Sequence, residues 1–148
     1  MKQNWQIYLS GEIHSNWRSE IQGECEKRGL AINFVGPELD HATSDHCGEK
    51  ILGPEESLFW KDHKAAKINA VRFKKHIKNC DILVVRFGEK YRQWNAAFDA
   101  GQAVALGIPV VSFHEEGLDH ALKEVDASAQ AVARNVEQVV DLIEYVMG

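Results

Sequence analysis

One carboxylate stands out in the segment RFGEKYRQWNAAFDAGQAVALGIPV, residues 86–110. Asp99 lies four residues after Asn95, whose short polar side chain suits a helix N-cap by accepting a backbone N–H of the first turn. The pattern predicts a helix from Asn95 to Leu106, stopped by Gly107, with Asp99 in its first turn or just past it. There the positive end of the helix is expected to hold Asp99 ionised. An ionised carboxylate in a cleft can act as a nucleophile or stabilise a cationic transition state. The plain alternative is an acid that only complements the helix dipole. Ahead of this helix Arg86, Glu89, Lys90, Tyr91, Arg92 and Gln93 make a polar loop. Its basic members favour an anionic ligand.

Two other segments carry polar groups that could do chemistry. Ser10 and Gly11 form the first strand-to-helix turn, where backbone N–H groups can meet a phosphate or a sugar hydroxyl. The polar stretch from Glu38 to Gly53 reads as a long loop containing His41, Asp45, His46 and Cys47. These are metal-ligand types, but their spacing matches no standard signature, so no metal and no cofactor is expected. The better functional reading is a lid over the site, with Asp45 supplying an acid. Trp60, His63, Lys64, Lys67, Arg72, Lys74 and Lys75 mark a basic, aromatic-containing helix, read either as a solvated face or as a contact for a phosphate-bearing ligand. No GxGxxG or Walker motif is present, which argues against dinucleotide or P-loop chemistry.

The elements that position these residues follow from apolar periodicity. Strands are expected at Gln6–Leu9, Ala31–Val35, Ile82–Val85, Pro109–Phe113 and, weakly, Ala129–Ala133. Helices are expected at Ser15–Arg28, from Pro54 to Asn79 with a break near Lys61–His63, at Asn95–Leu106, at Leu118–Val125 and at Asn135–Met147. Strands alternating with helices imply a parallel sheet with right-handed crossovers. For five strands the expected architecture is an α/β, flavodoxin-like three-layer sandwich of order 2-1-3-4-5, with ligands beyond the carboxyl ends of strands 1 and 3. That rule brings Ser10, Gly11, the Arg86–Asn95 segment and Asp99 together.

Composition bounds the function. The 148 residues, 45% hydrophobic and 26% charged, suit one globular domain spanning 1–148. A net charge of −5 argues against a nucleic-acid polymer as partner. No apolar run approaches the roughly 18 residues of a membrane span, and Met1–Trp5 has no signal-peptide core. Three cysteines without a CxxC fit reduced thiols, so a cytoplasmic location is expected.

The run AFDAGQAVALGIPVV resembles the nucleoside 2-deoxyribosyltransferase family, and IYLSGEIHSNWRSEI resembles that family's first strand and loop. LSGEIHSNW, FWKDHKAAKINAVR and RFGEKYRQWNAAFDAG resemble the YtoQ branch beside it, over nearly the whole chain. The resemblance implies attack of a carboxylate on C1′ of a nucleoside or nucleotide, departure of the base, and resolution of the glycosyl-enzyme by water or a second base. It puts Asp99 in the place of the family's nucleophilic glutamate and Tyr8 in that of a nearby tyrosine that can orient it. It also puts Gln93 in the place of an acid, Asn95-Ala96 in the place of a Gly-Thr pair, and Arg72 or Phe73 near a further acid. The resemblance implies a homo-oligomer whose sites are completed by a neighbouring subunit. The sequence thus supports three functions: an enzyme of N-glycosidic bonds with Asp99 and Tyr8 as catalytic residues, a non-catalytic nucleotide or sugar-phosphate binding module, or a structural oligomer.

Overall fold

The computed structural model describes residues 4–148. Its parallel sheet follows from strands too apolar to leave a face in water. The strands β1 (Trp5–Gly11), β2 (Ile32–Val35), β3 (Ile82–Arg86), β4 (Val110–Phe113) and β5 (Ala131–Ala133) form one five-stranded sheet of order β2-β1-β3-β4-β5. Every pairing is parallel, with Tyr8 opposite Leu83 and Gly11 opposite Arg86. The switch between β1 and β3 opens a crevice at their carboxyl ends. The expected order and class are therefore the observed ones.

Alternation along the strands separates two cores. Ile7, Leu9, Ile82, Val84, Val111 and Phe113 pack under α1 (Trp17–Lys27) and α6 (Val136–Met147). Tyr8, Leu83, Val85 and Val110 face the opposite layer, which contains α3 (Leu58–Asn79), α4 (Trp94–Ala105) and α5 (Lys123–Ser128). Ile7, Leu83, Val84 and Val85 are wholly buried, and each contributes about 1.5–3 kcal/mol of transfer free energy.

The stretch expected as a loop from Glu38 to Gly53 is instead a helix, α2 (His41–Leu52). Asp40 caps it, its side chain accepting the Thr43 N–H at 3.2 Å, and those Thr43 bonds hold the Asp40 carboxyl below its usual range. The helix lacks a clear apolar stripe because it buries only Gly48, against α3. A Cβ there would come within 2.8 Å of the Ala65 nitrogen. Gly53, at φ 97°, ends the helix. α3 begins at Leu58 after the cap position Ser57, not at Pro54, and runs unbroken through Lys61–His63. The helix expected at Leu118–Val125 divides into a 3₁₀ turn at Glu116–Leu118 and α5. Among the described residues no helix is long and apolar enough to cross a membrane.

Candidate active site

Asp99 reaches the β1–β3 crevice because its helix is thin. Ala96, Ala100 and Ala103 are the buried residues of α4 and let it approach the sheet closely. Asp99 lies on the same side, three residues after Ala96 and four before Ala103. Ser10, on the same sheet face as Tyr8, donates from its hydroxyl to Asp99 Oδ2 at 2.8 Å. Ser10 is wholly buried.

The helix does not begin where the sequence pattern predicts. Gln93 holds the cap position and Asn95 is already helical, so Asn95 makes no cap. Asp99 is the sixth residue of α4 and lies beyond the turn where the helix dipole acts. Burial therefore wins: desolvation pushes the Asp99 carboxyl from 3.8 up to about 6, and the Ser10 bond offsets part of that rise. The expected cause, the helix dipole, is thus corrected, while a pKa near 6 leaves Asp99 mostly ionised at pH 7.

Tyr8 is also beside this carboxylate, but it does not orient it; Ser10 does. The Tyr8 hydroxyl is buried without a hydrogen-bond partner. Burial first, and the Asp99 charge second, push its pKa well above the usual value, so it stays a proton donor. A buried hydroxyl without a partner is costly and marks a place for a ligand or water.

Two cavities meet at Asp99. One, of about 500 Å³, lies beneath α2 and α3, and its walls include Tyr8, Asp45, Asp62, Asn69, Phe98 and Asp99. The other, of about 570 Å³, lies over the strand ends, with Ser10, Gly11, His14, Tyr91, Gln93 and Asp99 among its walls. Asn95 and Glu38 border both. Among the expected site residues, the fold thus gathers Asp99, Tyr8, Ser10, Gly11, Asp45, Gln93 and Asn95. Asp45 is carried by the helix α2 and not by a lid loop. Gln93 is pinned, its Oε1 accepting the Gly88 N–H at 3.0 Å.

Arg86 and Glu89 are not part of this gathering. Period-two alternation turns Arg86 to the opposite sheet face, where its guanidinium lies 4.4 Å over Phe113 and 3.7 Å from Glu115. Glu89 reaches towards Gly117. Gly11 also departs from expectation. At φ 113° it fits its strand against β3, and a Cβ there would lie 2.0 Å from the Arg86 carbonyl oxygen. It is the last residue of β1 and serves close strand approach, so it is not part of the turn expected there.

Asp62, Ala65, Ala66 and Asn69 escape a reading of the sequence, although with Arg72 and Phe73 they recur at helical spacing and form one stripe of α3. The lysines obscure it. Lys61 and Lys64 point instead to Glu49 at 3.5 Å and Glu55 at 2.5 Å. Glu12, buried beyond β1, accepts from Ser15 Oγ at 2.5 Å and from the His14 N–H. Metal-ligand types converge elsewhere: among the described residues the one such trio is His114, Asp119 and Asp126, not the His41–Cys47 set.

A partly buried carboxylate at the switch point of a doubly wound sheet, opening on two cavities, gives this α/β protein a candidate small-molecule site. A family model described as "Nucleoside 2-deoxyribosyltransferase YtoQ" matches residues 8–147, and the chain belongs to that family. It is 42% identical over 139 residues, 94% of each chain, to "Uncharacterized protein YtoQ" of Bacillus subtilis (strain 168). Among solved structures it is similar to a conserved protein from Enterococcus faecalis V583, with a TM-score of 0.64 and 16% identity over 97% of this chain and 99% of that one. It is also similar to a 2-deoxyribosyltransferase from Bacillus psychrosaccharolyticus, with a TM-score of 0.54 and 22% identity over 91% of this chain and 90% of that one. At these identities the two solved structures speak for the fold.

Proposed function

We propose that the protein cleaves or exchanges the N-glycosidic bond of a nucleoside, with Asp99 as nucleophile. The observation that carries this reading is the Asp99 carboxylate, fixed by Ser10 at the junction of two cavities. Oδ2 is held by the Ser10 hydroxyl, which leaves Oδ1 to attack C1′. The C1′–N bond breaks, its electron pair stays on the base, and a glycosyl ester of Asp99 forms. Water or a second base then attacks C1′ and returns Asp99 as a carboxylate. The Tyr8 hydroxyl, protonated and without a partner, is placed to donate to the bound sugar or ester.

Family membership supports the reaction class. Gln93 favours a second reading, binding without turnover, because it cannot donate a proton as an acid in that place would. The deciding experiment incubates the protein and Asp99→Asn with ribo- and deoxyribonucleosides and follows free base by chromatography. Base release abolished in the variant supports catalysis. Thermal stabilisation by a nucleoside without release from any compound favours binding alone.

Self-association belongs to the same reading. Trp94 and Phe98, 72% and 62% exposed, flank the mouth of the site on α4. Sedimentation at assay concentrations tests it, and a strict monomer with full activity would remove the shared site.

A further inference from the structure

The cavity beneath α2 and α3 has a charge that the reaction alone does not require. Four carboxylates border it, those of Glu38, Asp45, Asp62 and Asp99, against one guanidinium, that of Arg72. Arg72 lies 3.5 Å from Glu38, so the ion pair at this cavity engages Glu38 and leaves Asp45, Asp62 and Asp99 to face the space. The lysines of α3 do not offset them, since Lys61 and Lys64 are turned to acids at the α2 end. Phe73 and Phe98 add flat apolar surface, and Asn69 adds an amide. A second feature points to a ligand here: the Tyr8 hydroxyl, 0% exposed and without a partner, is in the same wall. The neighbouring cavity is mixed in charge, setting Arg92 and the imidazoles of His14 and His41 against Glu12, Glu38 and Asp99.

The leaving-group chemistry agrees with this charge. A neutral base departs from C1′ as an anion unless an acid protonates it. Gln93 cannot do so, and its Oε1 is committed to Gly88. A base that is already cationic needs no acid, because the electron pair of the broken C–N bond neutralises it.

Resting on the N-glycosidic reading, we infer that this cavity selects an N-glycoside whose heterocycle is a cation, such as a pyridinium or a ring-alkylated purine, and disfavours a phosphate there. In the first step Asp99 Oδ1 bonds to C1′, the C1′–N⁺ bond breaks, and a neutral heterocycle leaves. Water then attacks C1′, the Asp99 carboxylate departs, and one proton passes to solvent. No oxidant or further reactant is needed.

The test compares nicotinamide riboside, a pyridinium, with its uncharged dihydro form, by calorimetric binding and by release of nicotinamide. The cation should bind about tenfold more tightly, the size expected for charges a few ångströms apart in a partly solvated site. The doubly substituted Asp45→Asn, Asp62→Asn protein should lose this gap, and so should the wild type at high salt. Both positions are exposed, and Asp45→Ser alone provides an independent variant expected to narrow the gap. Equal or tighter binding of the uncharged form, or a gap that survives in the double variant, overturns the inference. Release of base from neutral deoxynucleosides without preference for the cation sinks the inference and leaves the N-glycosidic reading standing. Cation-selective binding without release from any compound does the reverse: it upholds the charge selectivity and overturns turnover.

Discussion

Replacing Asp99 by asparagine should stabilise the protein at neutral pH while abolishing the proposed base release. Asp99 is taken from 3.8 to about 6 by burial. At about 1.36 kcal/mol per tenfold change in proton affinity, that rise corresponds to about 3 kcal/mol against the ionised form. Asp99 is only partly buried, and screening by solvent lowers the figure to about 1–2 kcal/mol. Asparagine keeps an oxygen to accept from Ser10, so little else is lost. The sign follows from proton uptake. Between pH 3.8 and about 6 the folded protein holds a proton on Asp99 that the unfolded chain has released. Wild-type stability from this group is therefore full below pH 3.8, falls as pH rises, and stays low above about 6. The assay is thermal unfolding of both proteins across this range. The Asp99→Asn protein should match the wild type at the acid end, and its advantage should grow to about 2–8 °C at pH 7. A variant less stable than wild type at pH 7, or a gap independent of pH, would refute the placement of Asp99 in a desolvated site.

Further consequences follow from the same geometry. Ser10→Ala removes the hydroxyl that favours ionised Asp99; a hydrogen bond to a charged group contributes about 1.5–3 kcal/mol, so the acid limb of kcat/KM should move up by about one to two pH units. An unmoved limb would separate Ser10 from the proposed nucleophile. Gly48→Ala forces a Cβ against the Ala65 nitrogen and should cost about 1–3 kcal/mol in chemical denaturation while displacing Asp45 from the cavity. Wild-type stability in that variant would contradict the close α2–α3 contact. His114 is wholly buried, with Nε2 2.8 Å from Asp126 and Nδ1 2.9 Å from the Glu115 carbonyl. His114→Ala should lower stability by about 2–4 kcal/mol and leave base release per folded molecule unchanged. A selective loss of turnover would show that this cluster reaches the site.

The sheet is legible in the chain because its strands are short apolar runs separated by helix patterns of crossover length. Ile82–Val85 allows no face in water, so a strand covered on both sides is the physical solution. Asp99 is legible too, from its place after the third strand. The helix α2 is not, because it packs through a glycine and presents polar residues elsewhere; only the Asp40 cap announces it. Arg86 is misplaced when loop polarity is read without the alternation that sends it to the far face.

What the sequence by itself determined was therefore the class of the fold and the carboxylate at its switch point, since both depend on local periodicity and chain order. Tertiary structure decided which neighbours that carboxylate has. Ser10 is 89 positions away along the chain, Tyr8 lies at the same sheet face, and Asp45 and Asp62 arrive on two packed helices. Tertiary structure also decided the protonation of Asp99, because desolvation depends on what covers a group and not on where its helix begins.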